Sequence, residues 1–291
     1  MSAVVGTSAA PVARTGRLRW ARFLRSPQGI VGLAVLAFVL AVALIGPIVA
    51  PHSLSAPVGA PGTPPSAGFL LGTDYLGRDI FSRLLDGGTS VLVVSCIATA
   101  FTYLIGIGIG MTAGLSRSIV DPILMRVVDV FLVFPPLMLL LLLIAGSGTS
   151  VGILILGIVL VLFPGVARIV RTATLEVSTT SYIEAAVARG ERTLSIMRRE
   201  VLPNITPTII ADLGVRFSAV IILAASVNFL GLGEKPPAAN WGLMIAENLQ
   251  IVSSNIWSVL APASMLALLT ISVNLLGDAY VRSLGRTEPP R

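Results

Sequence analysis

Residues 130–167 read VFLVFPPLMLLLLLIAGSGTSVGILILGIVLVLFPGVA, and no formal charge interrupts them. A helix needs roughly 20 apolar residues to cross about 30 Å of hydrocarbon, so this run is too long for one crossing and long enough for two. The small polar stretch Gly146-Ser147-Gly148-Thr149-Ser150 supplies the turn between them. Two neighbouring spans of lipid length make an all-α, polytopic membrane protein the expected fold class.

The rest of the chain agrees. Of 291 residues 55% are hydrophobic and 12% charged, and the apolar residues come in spanning-length runs instead of the amphipathic periods of a soluble core. Six transmembrane helices are predicted, at 29–50, 89–113, 123–145, 151–169, 205–230 and 257–276. They divide the chain into an N-terminal tail 1–27, a membrane domain 28–280 and a C-terminal tail 281–291, with outer loops 51–88 and 231–256 and a large inner loop 170–204. The first apolar run exceeds the roughly 7–15 residues of a secretory signal. Ser26-Pro27 before it reads as an N-cap followed by proline at the first helical position, the start of a retained helix.

Arginine distribution orients the spans. With the N-terminus inside, the cytoplasmic segments hold Arg14, Arg17, Arg19, Arg22, Arg25, Arg117, Arg126, Arg168, Arg171, Arg189, Arg192, Arg198, Arg199, Arg282, Arg286 and Arg291, against Arg78, Arg83 and Lys235 outside. The positive-inside rule then places both termini in the cytoplasm of a plasma (inner) membrane protein. The net charge of +6 is explained by anchoring to anionic lipid, and no aromatic-interleaved basic patch suggests nucleic acid.

The densest charge falls in the inner loop, where residues 182–204 read YIEAAVARGERTLSIMRREVLPN. Ser181 to Glu184 fits a capping box, Gly190 suits a left-handed turn, and Thr193 is placed to cap a second short helix that Pro203 stops. Ile183, Ala186 and Val187 on the first helix, and Leu194, Met197 and Val201 on the second, form apolar strips that need a docking surface. A protein partner supplies one; a loop lying on the membrane interface is the alternative.

Glu184-Ala185-Ala186, Gly190, Ile196 and Leu202-Pro203 resemble the EAA motif of permease subunits in ATP-binding-cassette importers. Residues 72–90 (GTDYLGRDIFSRLLDGGTS), 228–248 (NFLGLGEKPPAANWGLMIAEN) and the C-terminal NLLGDAYVRSL are similar to the second permease of the dipeptide, oligopeptide and nickel importers. The resemblance spans nearly all of the chain after about residue 28 and departs at Phe163-Pro164-Gly165, where relatives usually carry a tryptophan-rich approach to the same Ala-Arg pair. It implies a type I importer permease fold and a path for dipeptides or oligopeptides, with nickel chelates, haem or another small solute as alternatives. It also implies a homologous second permease, two cytoplasmic ATPase subunits that bind ATP and Mg2+, and an extracellular or periplasmic solute-binding protein whose docking surface includes the outer loop 236–241. The inner loop is then the coupling helix, seated in an ATPase groove.

A transporter needs helix contacts that slide, points of bending, and few inward polar groups. Gly106, Gly110 and Gly114 offer a small-residue face, and Pro135-Pro136 inside the third span, with Pro207 and Pro262 near span starts, should bend helices. Asp212 and Arg216, four residues apart in the fifth span, are expected to pair against protein; Ser226 and Asn228, with Pro135 and Pro136, are candidates for the path or its gate. Asp278–Arg282 and Arg126–Asp129 are expected as local pairs.

Enzymatic readings lack their chemistry. A phosphate-cradling loop needs Gly-Lys before Ser or Thr, and the one lysine, Lys235, lies between Glu234 and Pro236. Gly148-Thr149-Ser150-Val151-Gly152 matches a nucleophile-elbow pattern but joins two apolar spans, not a strand and a helix. His52 is expected as a solvated loop residue without companions for zinc, and Cys96 as a small buried hydrophobe. An autonomous channel or carrier remains the other class, for which inverted repeats and intramembrane carboxylates for coupling ions are the expected signs.

Overall fold

The computed structural model describes residues 26–116 and 118–285, so Arg14, Arg17, Arg19, Arg22, Arg25, Arg117, Arg286 and Arg291, most of the tail 1–27 and the end of the tail 281–291 lie outside the described residues. Five helices are long and apolar enough to span a membrane: α1 (Pro27–Val49), α2 (Ile80–Leu115), α5 (Val151–Ser178), α8 (Leu202–Phe229) and α10 (Trp257–Gly285). The pair α3 (Val120–Val133) and α4 (Pro136–Ser147) is apolar enough together for a sixth, as a broken span or a re-entrant loop, and is bent by 87°. Pro135-Pro136 sits at the bend, where the missing N–H groups and ring clashes forbid a continuous helix. Gly148 (φ +86°) turns the chain after α4, and Ser150 caps α5 by accepting from the Ile153 amide at 3.2 Å.

Helix ends extend past the predicted spans. Ser26 caps α1, accepting from the Gly29 amide at 3.0 Å with Pro27 next, as expected. α2 starts at residue 80, inside the predicted loop 51–88, because Asp79 accepts from the Phe81 and Ser82 amides. Its 36 residues span about 54 Å at 1.5 Å each, so its first turns rise clear of the hydrocarbon. α5 runs on to Ser178 and α10 to Gly285, into the predicted loop 170–204 and tail 281–291.

α2 and α5 form the central seam, made by the predicted small-residue face. A Cβ on Gly106 would stand 2.6 Å from the Val166 side chain, and one on Gly110 would stand 2.7 Å from the Ala167 carbonyl. The two backbones therefore meet with no room for a methyl group. α8 and α10 meet at Gly214 and Gly277, with Asn274 donating to the Ser218 hydroxyl at 2.7 Å.

Charged side chains of α3 choose partners across helices, on α5. Asp121 of α3 takes both Nε and Nη2 of Arg171 at 2.6 Å, and Asp129 takes Nη2 of Arg168 at 2.6 Å. Asp129 thus pairs with Arg168 of α5 and not with Arg126. Asp278 and Arg282 are both exposed and form no ion pair among the described residues, in keeping with the small gain available to solvated charges. Cys96 is exposed on the outward face of α2, not buried.

The segment 51–79 is held together by its own hydrogen bonds. It doubles back on itself: Gly59 and Val58 amides donate to the Gly77 carbonyl, Gly62 to Asp74, and Thr63 and Thr73 exchange bonds of 2.8 and 3.0 Å. His52 is not free in solvent either, for its Nδ1 lies 3.0 Å from Asp79 and its ring packs 5.7 Å from Phe69.

Candidate functional site

The connection between α5 and α8 folds as an elbow. α6 (Ser181–Ala188) ends at Arg189, the chain reverses at Gly190 (φ +72°), and α7 (Thr193–Ile196) passes through a wider π turn, Met197–Val201, into α8. Three local expectations are corrected. The residue before α6 is Thr180, whose carbonyl receives the Ile183 and Glu184 amides while its hydroxyl donates to Val177, so Ser181 forms no capping box. Arg192, not Thr193, precedes α7, with no side-chain cap. Pro203 does not stop the helix: the Leu202 amide reaches back five residues to Met197, and this π turn makes space for the proline ring next to it.

The apolar strips of the elbow dock on the chain itself. Ile183 (2% exposed), Ala186, Ile196 and Val201 bury against Tyr103 and Met111 of α2 and Val166, Val170 and Ala173 of α5. Tyr182, Val187 and Leu194 stay outside, with Leu194 75% exposed. The predicted coupling residues divide accordingly: Ala186 and Ile196 anchor the elbow, Leu202 is half-buried, and Glu184, Ala185, Gly190 and Pro203 face outward.

A cleft of about 680 Å³ opens at the C-terminal end of α8, between α8, α10, Leu137 of α4 and α9 (Trp241–Asn248). Its walls are apolar except for Ser226 and Thr270, whose hydroxyls bond carbonyls of their own helices. Asn228, predicted beside Ser226, points inward instead. It is 2% exposed, donates to the Ala224 carbonyl and accepts from the Glu234 amide, so it shapes the turn after α8 and touches no open space. Pro135 and Pro136 make the α3–α4 bend, one residue before the cleft-lining Leu137.

Above the cleft lies a buried ionic cluster that holds α9. Arg78 donates to Asp74 at 2.5 Å and to Glu247 at 3.0 Å, while Arg83 donates to the same Glu247 oxygen at 2.9 Å. All four side chains are at most 7% exposed. Tyr75 donates to Glu247 at 3.4 Å; burial, then the Glu247 charge, push its phenol above the ordinary range. Arg83 also reaches the carbonyls of Leu54, Pro237 and Ala238 at 3.2 to 3.5 Å. Trp241, expected on the outer docking surface, is wholly buried and donates to the Leu84 carbonyl at 2.8 Å, which leaves 235–238 as the exposed part of that loop.

At mid-span Arg216 donates Nε to both oxygens of Asp212 at 3.2 and 3.3 Å, and the Tyr103 hydroxyl donates to Asp212 at 2.8 Å. The fifth-span pair is therefore formed, with a second helix, α2, joined to it through Tyr103.

Residues 106–286 match the model of the binding-protein-dependent transport system inner membrane component, more than half of the chain. The chain belongs to that family. Residues 15–63 match the N-terminal transmembrane domain of oligopeptide transport permease C. The dipeptide transport system permease protein DppC of Bacillus subtilis is 34% identical over 91% of this chain and 83% of its own. The di/tripeptide permease DppC of Pseudomonas aeruginosa is 33% identical, covering 89% of this chain and 88% of its own. An inward-facing structure of the MetNI methionine ABC transporter superposes with a TM-score of 0.58 at 21% identity, over 70% of this chain and 97% of that one, a likeness of fold.

Sequence reading of this permease missed the ionic cluster. Its signal was present, since Asp74, Arg78, Arg83 and Glu247 lie in the two outer signatures beside hydrocarbon, where charges need partners. Which carboxylate meets which arginine is a property of the folded outer layer alone.

Proposed function

We propose that this permease forms half of the transmembrane path of an ATP-binding-cassette importer for dipeptides or oligopeptides, and hydrolyses no ATP itself. The path is completed by a homologous second permease. Two cytoplasmic ATPase subunits holding ATP and Mg2+ drive it, and a solute-binding protein delivers the peptide from outside. Both termini lie in the cytoplasm of a bacterial plasma membrane.

The observation that carries the reading is the elbow: a bent helix pair fixed to α2 and α5 by Ile183, Ala186, Ile196 and Val201, with Glu184, Ala185 and Gly190 turned outward. A push on such an elbow moves the membrane helices, because buried contacts do not slide freely. Its place at the arginine-rich end and the peptide permeases among the relatives support the assignment. The apolar cleft suits solutes with varied side chains, since fixed charges there would discriminate among them.

The test is co-expression with the neighbouring permease, ATPase and binding-protein chains, followed by transport in proteoliposomes. The expected result is a stable complex whose peptide uptake requires ATP, and which keeps membrane insertion but loses uptake when Glu184→Arg or Gly190→Val is introduced. Uptake by this chain alone, without ATP, would refute the proposal.

A further inference from the structure

α8 has one open face. Thr208, Val215, Ile222 and Ser226 follow one another at helical spacing along it and are open to solvent or lipid, while its flanks are covered by α5 and α10. The face joins the apolar outer cleft to a smaller inner groove of about 300 Å³, lined by Arg168, Thr172, Glu176 and Thr208. Asp212 and Arg216 stand between the two, on the edge that meets α5. Charged groups at this depth face protein or water, not lipid.

The guanidinium of Arg216 is only half used. Its Nε serves Asp212, but among the described residues no hydrogen-bond acceptor meets Nη1 or Nη2. The side chain is 22% exposed. Its flat face lies over Gly165, where a Cβ would come within 2.5 Å of Nη1, so the Phe163-Pro164-Gly165 departure from the usual tryptophan-rich sequence provides the bay for this group. A half-buried planar fork with two free donor nitrogens matches a carboxylate.

Charge balance selects the kind of carboxylate. Arg216 and Asp212 are already neutral together, so a permanent carboxylate from another subunit would leave a fixed buried negative charge, which is costly. A zwitterion carries its own compensation. Three residues beyond Gly165 along α5, a rise of about 4.5 Å toward the cytoplasm, Arg168 holds Asp129, whose side chain is 43% exposed and available to an ammonium group.

We propose that the free Nη edge of Arg216 is a mid-membrane station for the C-terminal carboxylate of a zwitterionic peptide as it crosses from the outer cleft to the inner groove. This rests on the importer reading above and adds a solute-contacting residue to it.

The experiment uses the reconstituted complex with its binding protein loaded with trialanine, and measures peptide moved per ATP hydrolysed together with the KM for the loaded binding protein. Arg216→Gln should leave that KM and the stimulated ATPase within about twofold while peptide moved per ATP falls at least tenfold. Arg216→Lys, which keeps charge without the fork, should fall between. Asp212→Asn/Arg216→Gln should stay as low as Arg216→Gln. With the binding protein saturated by trialanine amide, the wild-type complex should move less peptide per ATP, and Arg216→Gln should lose that discrimination.

Restoration of transport by the double variant would overturn the station in favour of a purely structural ion pair. Loss of the second permease from complexes carrying Arg216→Gln would overturn it in favour of an acceptor in that subunit. Unchanged transport by Arg216→Gln would also overturn it. A wild-type complex that moves no peptide in response to ATP would instead remove the importer reading, a failure visible before any variant is compared.

Discussion

Removing Glu247 tests whether the outer cluster holds the cleft wall by charge. Its carboxylate receives Nη2 of Arg78 at 3.0 Å and Nη2 of Arg83 at 2.9 Å, and these arginines are 2% and 0% exposed. In Glu247→Ala two buried guanidinium groups would share Asp74 alone. Breaking a buried pair from one side costs about 3–5 kcal/mol, because the orphaned charge cannot reach water. Replacing Arg83 by Met in the same chain removes that orphan and keeps the volume. What remains is the loss of long bonds to the Leu54, Pro237 and Ala238 carbonyls, about 1–3 kcal/mol. The double variant Glu247→Ala/Arg83→Met should therefore be more stable than Glu247→Ala, a reversal that simple loss of contacts does not produce. At about 2–4 °C per kcal/mol, the thermal midpoint of the purified permease complex should drop by on the order of 10 °C in the single variant and by roughly half of that in the double. A double variant no more stable than Glu247→Ala would refute the account.

The α2–α5 seam admits no side chain at Gly110, so Gly110→Leu should cost about 1–3 kcal/mol or more by overpacking and lower the yield of folded complex by size-exclusion chromatography. Gly190 has a left-handed backbone and open space around it, so Gly190→Ala should cost about 1–2 kcal/mol through backbone strain alone, and Gly190→Asn less, compared by thermal midpoint. The Tyr75 phenol is raised by burial and by Glu247, so the folded state favours its protonated form. Its contribution is complete below the ordinary phenol pKa of about 10 and is lost as pH climbs through the higher folded value. Tyr75→Phe should flatten that alkaline loss, and a slope identical to the wild type would assign the effect elsewhere.

Crossing helices could be read from the chain because lipid imposes a length and forbids unpaired backbone, two constraints written directly in composition. The bend at Pro135-Pro136 was legible for the same kind of reason, since proline acts on its own helix. The elbow was legible in outline only. Gly190 announced its turn by itself, whereas Pro203 misled, because the π turn that lets the helix continue belongs to the helix as a whole.

The sequence by itself determined which segments are long and apolar enough to cross, where the chain bends and which segments gather arginine, all consequences of local chemistry in a medium that punishes exposed charge. Tertiary structure alone decided which surface each polar group faces. It turned Asn228 inward and Cys96 outward, gave Asp129 to Arg168, and placed Ile183 and Ala186 on the chain's own helices. A helix sequence gives the angular spacing of its side chains but not the rotation of the helix against its neighbours, and that rotation is settled by close packing between segments far apart in the chain.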